Sequence, residues 1–185
     1  MNHLRPIKIS VFASLFAMVF SSCTPSVDMP KGNSSKYASA RLAILENTNG
    51  VPDEMKAVHP MIHRSLQKEF TRNGLSFGSQ NSDLIIGYMV LVQEPGMTQQ
   101  YASYFGNGRD GDKVRHVAHL KGAVDNGRPD FFQRAGIIID VIDAKTNKLI
   151  YRDFAAGDMV KGISGSARQA RIDAAVTEAL NGFFK

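Results

Sequence analysis

Gly136-Ile137-Ile138-Ile139-Asp140-Val141-Ile142-Asp143-Ala144-Lys145-Thr146-Asn147-Lys148-Leu149-Ile150-Tyr151-Arg152 is the stretch that decides how this 185-residue chain folds. Ile137, Ile139 and Val141 recur with a period of two, so they share one face of a strand. Asp143 to Lys148 is rich in turn-forming residues, and Leu149 to Phe154 is apolar enough to return as a second arm. The pattern predicts an antiparallel hairpin from Gly136 to Ala155. Asp140, Asp143, Asp153 and Asp158 gather around it, but the D-x-[DN]-x-[DN]-G loop of a calcium site is absent. They read as turn and strand-end residues.

Upstream, Leu84-Ile85-Ile86-Gly87-Tyr88-Met89-Val90-Leu91-Val92 is a nearly unbroken apolar run ending before Pro95. It is too short to cross a bilayer, which takes roughly 20 apolar residues. It reads as a central strand covered on both faces. Thr98 to Phe105 and Lys113 to Lys121 alternate like strands, with Gly106-Asn107-Gly108-Arg109-Asp110-Gly111 as hairpin material between them. Val58, Ile62, Leu66 and Phe70, widened by Met61 and Ser65, make a helical stripe. Pro60 suits its first turn and Asn73-Gly74 its end. Tyr37 to Leu45 supplies a first strand. A last helix, capped by Ser164 or Ser166, buries Ile172, Ala175, Val176, Ala179, Leu180 and Phe183. The order β-α-β-β-β-β-β-α predicts a single α+β domain over residues 37–185. Its expected architecture is a mostly antiparallel sheet of about five to six strands with two helices packed on one face.

The N-terminus carries a different message. Arg5 and Lys8 precede an apolar run from Ile9 to Phe20, and Phe20-Ser21-Ser22-Cys23 follows. This is the form of a signal peptide over residues 1–22, closed by a lipobox whose cysteine becomes the acylated N-terminus. Phe20 stands where leucine is usual. Residues 23–36 are polar and proline-bearing, and they read as a flexible tether. Twelve residues of it could extend to roughly 40 Å. A cysteine bearing three acyl chains would hold the domain at the membrane permanently, where one chain binds marginally.

Charge and cysteine usage agree with that placement. The 22 Lys and Arg against 17 Asp and Glu give a formal charge of +5. The leader takes Arg5 and Lys8 and no acid, so the pI of 9.4 overstates the basicity of the processed chain. A mild surplus favours solubility and attraction to anionic lipid or glycan. No basic run with interleaved aromatics appears, which excludes the nucleic-acid-binding class. Cys23 is the single cysteine, so no disulfide staples the fold.

Three passages resemble the bacterial lipoprotein family known as domain of unknown function 4136. They are Leu66 to Leu75 with Asp83 to Tyr88, the strand-turn-strand from Gly136 to Arg152, and the last helix ending Phe183-Phe184. The likeness spans about residues 36–185. The family often has tryptophan where Tyr151 stands, and the glycine-rich insert Met97 to Phe131 departs from its pattern. The resemblance implies a lipid-anchored α+β envelope domain, and it transfers no catalytic residue and no cofactor.

Other motifs weigh little. Gly106 to Gly111 fits G-x-G-x-x-G, but a strand pattern follows where a dinucleotide site needs a helix. Gly162-Ile163-Ser164-Gly165-Ser166 misplaces the second glycine of a nucleophile elbow, and no histidine follows it. His59 and His63 lie one helical turn apart, and His116 and His119 fall on opposite faces of a strand. Pro60 stands where H-E-x-x-H needs glutamate, so the histidines are expected to be solvent-exposed or capping, with no metal. Tyr101, Tyr104, Phe105, Arg109 and Arg115 place aromatic and basic groups together in the insert, a mixture suited to binding glycan, lipid headgroup or protein.

The expectation is a non-enzymatic lipoprotein anchored through Cys23 at the outer membrane and facing the periplasm. Thr24, rather than aspartate, after the cysteine favours the outer membrane. Tyr101, Tyr104, Phe105, Arg109 and Arg115 are its candidate binding residues, with an envelope protein, glycan or lipid as partner. The alternative is a hydrolase of cell-wall or lipid substrates.

Overall fold

The computed structural model describes residues 29–43, 56–94, 97–103 and 134–185. Among these, six strands form one sheet: β1 (Ser39–Leu42), β2 (Ser76–Phe77), β3 (Leu84–Glu94), β4 (Met97–Ser103), β5 (Arg134–Asp143) and β6 (Lys148–Asp158). Two helices, α1 (Val58–Arg72) and α2 (Gly165–Leu180), complete the described fold. Its spatial order is β2-β1-β3-β5-β6, with β4 also paired to β3. The strand expected over Lys113 to Lys121 lies outside the described residues.

The sheet is mixed rather than mostly antiparallel. β3–β5, β5–β6 and β3–β4 are antiparallel, whereas β1 runs parallel to both β2 and β3. The cause is α1. A strand that re-enters the same sheet after a helix has crossed its face points in its original direction. β1 occupies the edge of β3 at Leu84 to Ile86, and β4 takes the same edge further on, from Met89 to Glu94. Asp83 ties the start of this arrangement. Its carboxylate accepts from Ala38 N at 2.9 Å, Ser39 N at 3.1 Å and Ser39 Oγ at 3.0 Å.

The hairpin over Gly136 to Ala155 forms as expected, with one displacement. Asp143 faces Lys148 and Ile142 faces Leu149, but Val141 faces Tyr151, so Ile150 is an extra residue in a bulge. A one-residue slip turns every following side chain over. Tyr151 therefore joins Val141 on the helix side, and Arg152 comes to face Asp140.

Both helices cover one side of the sheet. Tyr88 of β3 meets His59 and His63 of α1, and Tyr151 Oη donates to Ala179 O of α2 at 2.9 Å. The core joins Ile62, Leu66 and Phe70 of α1 to Val176, Ala179, Leu180 and Phe183, over Leu84, Ile86, Ile137, Ile139 and Val141. The small Ala179 lets α2 lie close. Gly182 sits tighter still, since a Cβ there would stand 2.9 Å from Tyr151 Oη. The helix ends are as the sequence indicated. Gly74 after α1 has φ +86°, and Ser164 caps α2 by accepting from Ala167 N at 3.2 Å. Among the described residues no helix is long and apolar enough to cross a membrane.

Candidate functional site

The N-terminal segment is the first feature that the sequence concealed. Residues 23–36 were expected as a flexible tether, but from Pro30 onward the chain is bonded to the domain. Lys31 bridges Tyr151 in antiparallel sense. Arg152 N donates to Pro30 O at 3.0 Å, Gly32 N to Ile150 O at 2.8 Å and Ser34 N to Phe183 O at 2.9 Å. Lys31 Nζ adds an ion pair to Asp153 at 2.5 Å and a bond to Arg152 O at 3.4 Å. Gly32 is required here, because a Cβ would lie 2.6 Å from Ile150 O. Pro30 has no N–H to return to Arg152, so the ladder stops at that residue. Lys31 reaches over to the carbonyl that Pro30 cannot serve.

The second feature lies on the sheet face away from the helices. Strand alternation and register put Met89, Leu91, Ile138, Asp140 and Arg152 there, and all five are buried. Arg152 Nε donates to Asp140 Oδ1 at 2.6 Å and Nη2 to Oδ2 at 2.5 Å. This is a two-pronged guanidinium–carboxylate pair with side-chain exposures of 5% and 0%. Gly87 stands opposite Asp140 on β3. The aspartates read as turn and strand-end residues thus include one that is central. The signal was available in the alternation of β5, but the Ile150 bulge hides its partner from a simple count along the hairpin.

The third feature is polar and joins the helices. Asp173 accepts from Lys68 Nζ at 2.7 Å, Ser65 Oγ at 2.5 Å and Gln169 Nε2 at 2.8 Å, which holds its carboxyl down at about 2. Buried Glu69 accepts from Arg72 at 2.6 Å and Thr177 Oγ1 at 2.8 Å. At the N-terminal end of α1, His59 Nδ1 lies 2.9 Å from Tyr88 Oη, and the His63 ring meets Tyr88 edge-on at 5.9 Å. His59 is buried rather than exposed or capping, because the first turn of α1 already lies against Tyr88 of β3. Burial lowers the pKa of both histidines, and His59 lowers that of His63 further.

Of the sequence-derived candidates, Tyr101 lies in β4, opposite the part of β3 where the register shifts between Val90 and Leu91. Tyr104, Phe105, Arg109, Arg115 and Cys23 lie outside the described residues, as do His116 and His119. The described residues therefore bring none of the binding candidates together. They also contain no group of three or more His, Cys, Asp or Glu side chains arranged to hold a metal ion.

These features define an α+β domain with a mixed sheet, two helices on one face and an N-terminal segment closing an edge. The chain belongs to the family described as Domain of unknown function (DUF4136), whose model matches residues 30–183. The match opens at Pro30 and closes at Phe183, two residues whose carbonyls accept hydrogen bonds that tie the N-terminal segment to the domain. No curated protein matches the chain. Among solved structures, a PelC dodecamer from Paraburkholderia phytofirmans is similar at 14% identity and a TM-score of 0.42, covering 86% of this chain and 95% of that one. A PDZ domain protein from Parabacteroides distasonis is similar at 8% identity and a TM-score of 0.41, covering 77% of this chain. The chain spans 32% of that protein's length.

Proposed function

We propose that this chain is an envelope lipoprotein, cleaved before Cys23 and acylated there, whose domain binds or assembles with another envelope component and catalyses no reaction. The observation that carries this reading is the docking of Pro30 to Gly32 on the edge of β6 and of Ser34 on Phe183. An acylated Cys23 would lie only seven residue steps before Pro30, the first hydrogen-bonded residue, a reach of about 25 Å at full extension. A domain held that short acts on what is at the membrane surface. The use of its charged groups supports the non-enzymatic part: Asp140, Glu69 and Asp173 are each bound to a cation within the fold. The absence of aspartate after Cys23 favours the outer membrane and a periplasm-facing domain. Tyr101, Tyr104, Phe105, Arg109 and Arg115 remain the proposed contact residues for a protein, glycan or lipid partner.

The test is in-cell crosslinking of the full-length protein from position 101, with the intact mass of the purified product measured in parallel. The expected result is an acylated chain beginning at Cys23 and one reproducible partner, lost when Tyr101, Tyr104 and Phe105 are changed to alanine. A mature chain starting elsewhere overturns the anchoring. Turnover of peptidoglycan or ester substrates that survives stringent purification overturns the non-enzymatic reading.

A further inference from the structure

We infer that the corner Met159-Val160-Lys161, just past the end of β6, is a membrane-contact surface and that the domain stands with this end toward the bilayer. The inference rests on the lipid anchor proposed above and adds an orientation to it. Its first support is the direction of the docked segment. Lys31 pairs with Tyr151 in antiparallel sense, so the chain arrives at Pro30 from the side where β6 ends. Counted back from Lys31, residue 23 is as far from the bridge as residue 159 is from Tyr151. A leash of about 25 Å and the remaining seven residues of β6, about 23 Å at ~3.3 Å each, are nearly the same length. The stretch from Cys23 to Pro30 is therefore long enough, at full extension, to reach the level of Met159.

The second support is independent of the leash. Among the described residues, Met159 and Val160 are the exposed large hydrophobic side chains, at 37% and 49%. Single exposed apolar residues are ordinary, but two adjacent ones at the end facing an anchor would gain by entering the interface. Lys161, Arg168 and Arg171 lie on the same end with Asp158, and the Arg171 guanidinium donates to the Asp158 carbonyl. The cationic excess suits an anionic lipid surface, whose field reaches about one Debye length, ~8 Å at physiological salt. The opposite end of the hairpin, Asp143 to Lys148, carries no exposed large hydrophobic residue.

Because Cys23 is the only cysteine and acylation consumes its thiol, Val160→Cys and Lys145→Cys each give a lipidated protein with one free thiol. Each is labelled with an environment-sensitive fluorophore and inserted into vesicles of phosphatidylethanolamine and phosphatidylglycerol containing a lipid-borne quencher. The expected result is quenching several-fold stronger at position 160 than at 145, weakened in a Met159→Ser background. Equal quenching at the two positions, or stronger quenching at 145, overturns the orientation. Protection at 160 from aqueous quencher without lipid quenching also overturns it, because the corner would then contact protein. The mass of the purified chain separates the two proposals: no acyl group sinks the anchor itself, whereas acylation with the wrong quenching pattern sinks the orientation alone.

Discussion

Removing the carboxylate of Asp140 is the most demanding test of the sheet. Asp140→Asn preserves the shape of the side chain but takes away the charge to which Arg152 Nε and Nη2 donate, at 2.6 and 2.5 Å. The pair is almost fully out of solvent, so water cannot replace what is lost. Breaking a buried pair by removing one partner costs about 3–5 kcal/mol, against about 0–1 kcal/mol for an exposed pair. For a domain of this size each kcal/mol moves the melting temperature by about 2–4 °C, so the loss is on the order of 6–20 °C. Far-UV circular dichroism during urea and thermal unfolding reads it. The paired replacement Asp140→Leu with Arg152→Met removes both charges into surroundings that already include Met89, Leu91 and Ile138. It should recover most of the stability, since an apolar substitute for a buried ion pair is often neutral or better. A single-variant loss below about 1 kcal/mol would show the pair to be solvated in solution. A double variant as unstable as the sum of its singles would refute the assignment of the two residues as partners.

Three further outcomes follow from the contacts described. Gly32→Ala should drive the segment off β6, because its Cβ meets Ile150 O at 2.6 Å. Hydrogen exchange at Gly32 and Ser34 should rise sharply while global stability falls by only about 1–2 kcal/mol, and unchanged exchange would refute the docking. Acidification should weaken the fold through His59 and His63, whose folded pKa values lie below the ordinary 6.5. Their contribution is complete above pH 6.5 and is lost as pH falls below it, because the unfolded chain then takes protons that the folded one resists. Melting temperatures of His59→Gln with His63→Gln should be flatter between pH 7 and 5 than those of the parent. Asp173, held at about 2 against an ordinary 3.8, contributes above pH 3.8 and fades toward pH 2. Asp173→Asn should cost about 1–2 kcal/mol near neutrality, discounted for partial exposure, and most of that cost should be gone as pH falls to 2 and below.

What the sequence revealed and withheld divides along physical lines. Periodicity carried α1, α2 and the β5–β6 hairpin, because their side chains report which face is buried. Ser164 and Gly74 were legible as helix punctuation for the same local reason. The parallel pairing of β1 was not read, although strand, helix and strand in succession imply it, because alternation describes faces and not directions. The docked segment was invisible on different grounds. Pro30 to Ser34 holds on through backbone groups, one lysine and a missing Cβ, so its polarity and proline content imitate a tether. The bulge at Ile150 likewise leaves no trace in composition, yet it decides that Tyr151 packs under α2 and that Arg152 finds Asp140. For the candidate binding residues, the structure adds the placement of Tyr101 in β4, while Tyr104, Phe105, Arg109 and Arg115 lie outside the described residues.

The docked segment also determines how the domain bears a mechanical load. A pull on the chain before Pro30 reaches the fold first at the bonds from Arg152 N to Pro30 O and from Gly32 N to Ile150 O. Both run across the strand axis. A force directed along β6 loads them together in shear, with the Lys31–Asp153 contact sharing the strain. A force directed away from the sheet would open them one after another, like a zip. The same few bonds therefore make the attachment stiff in one direction and peelable in the other.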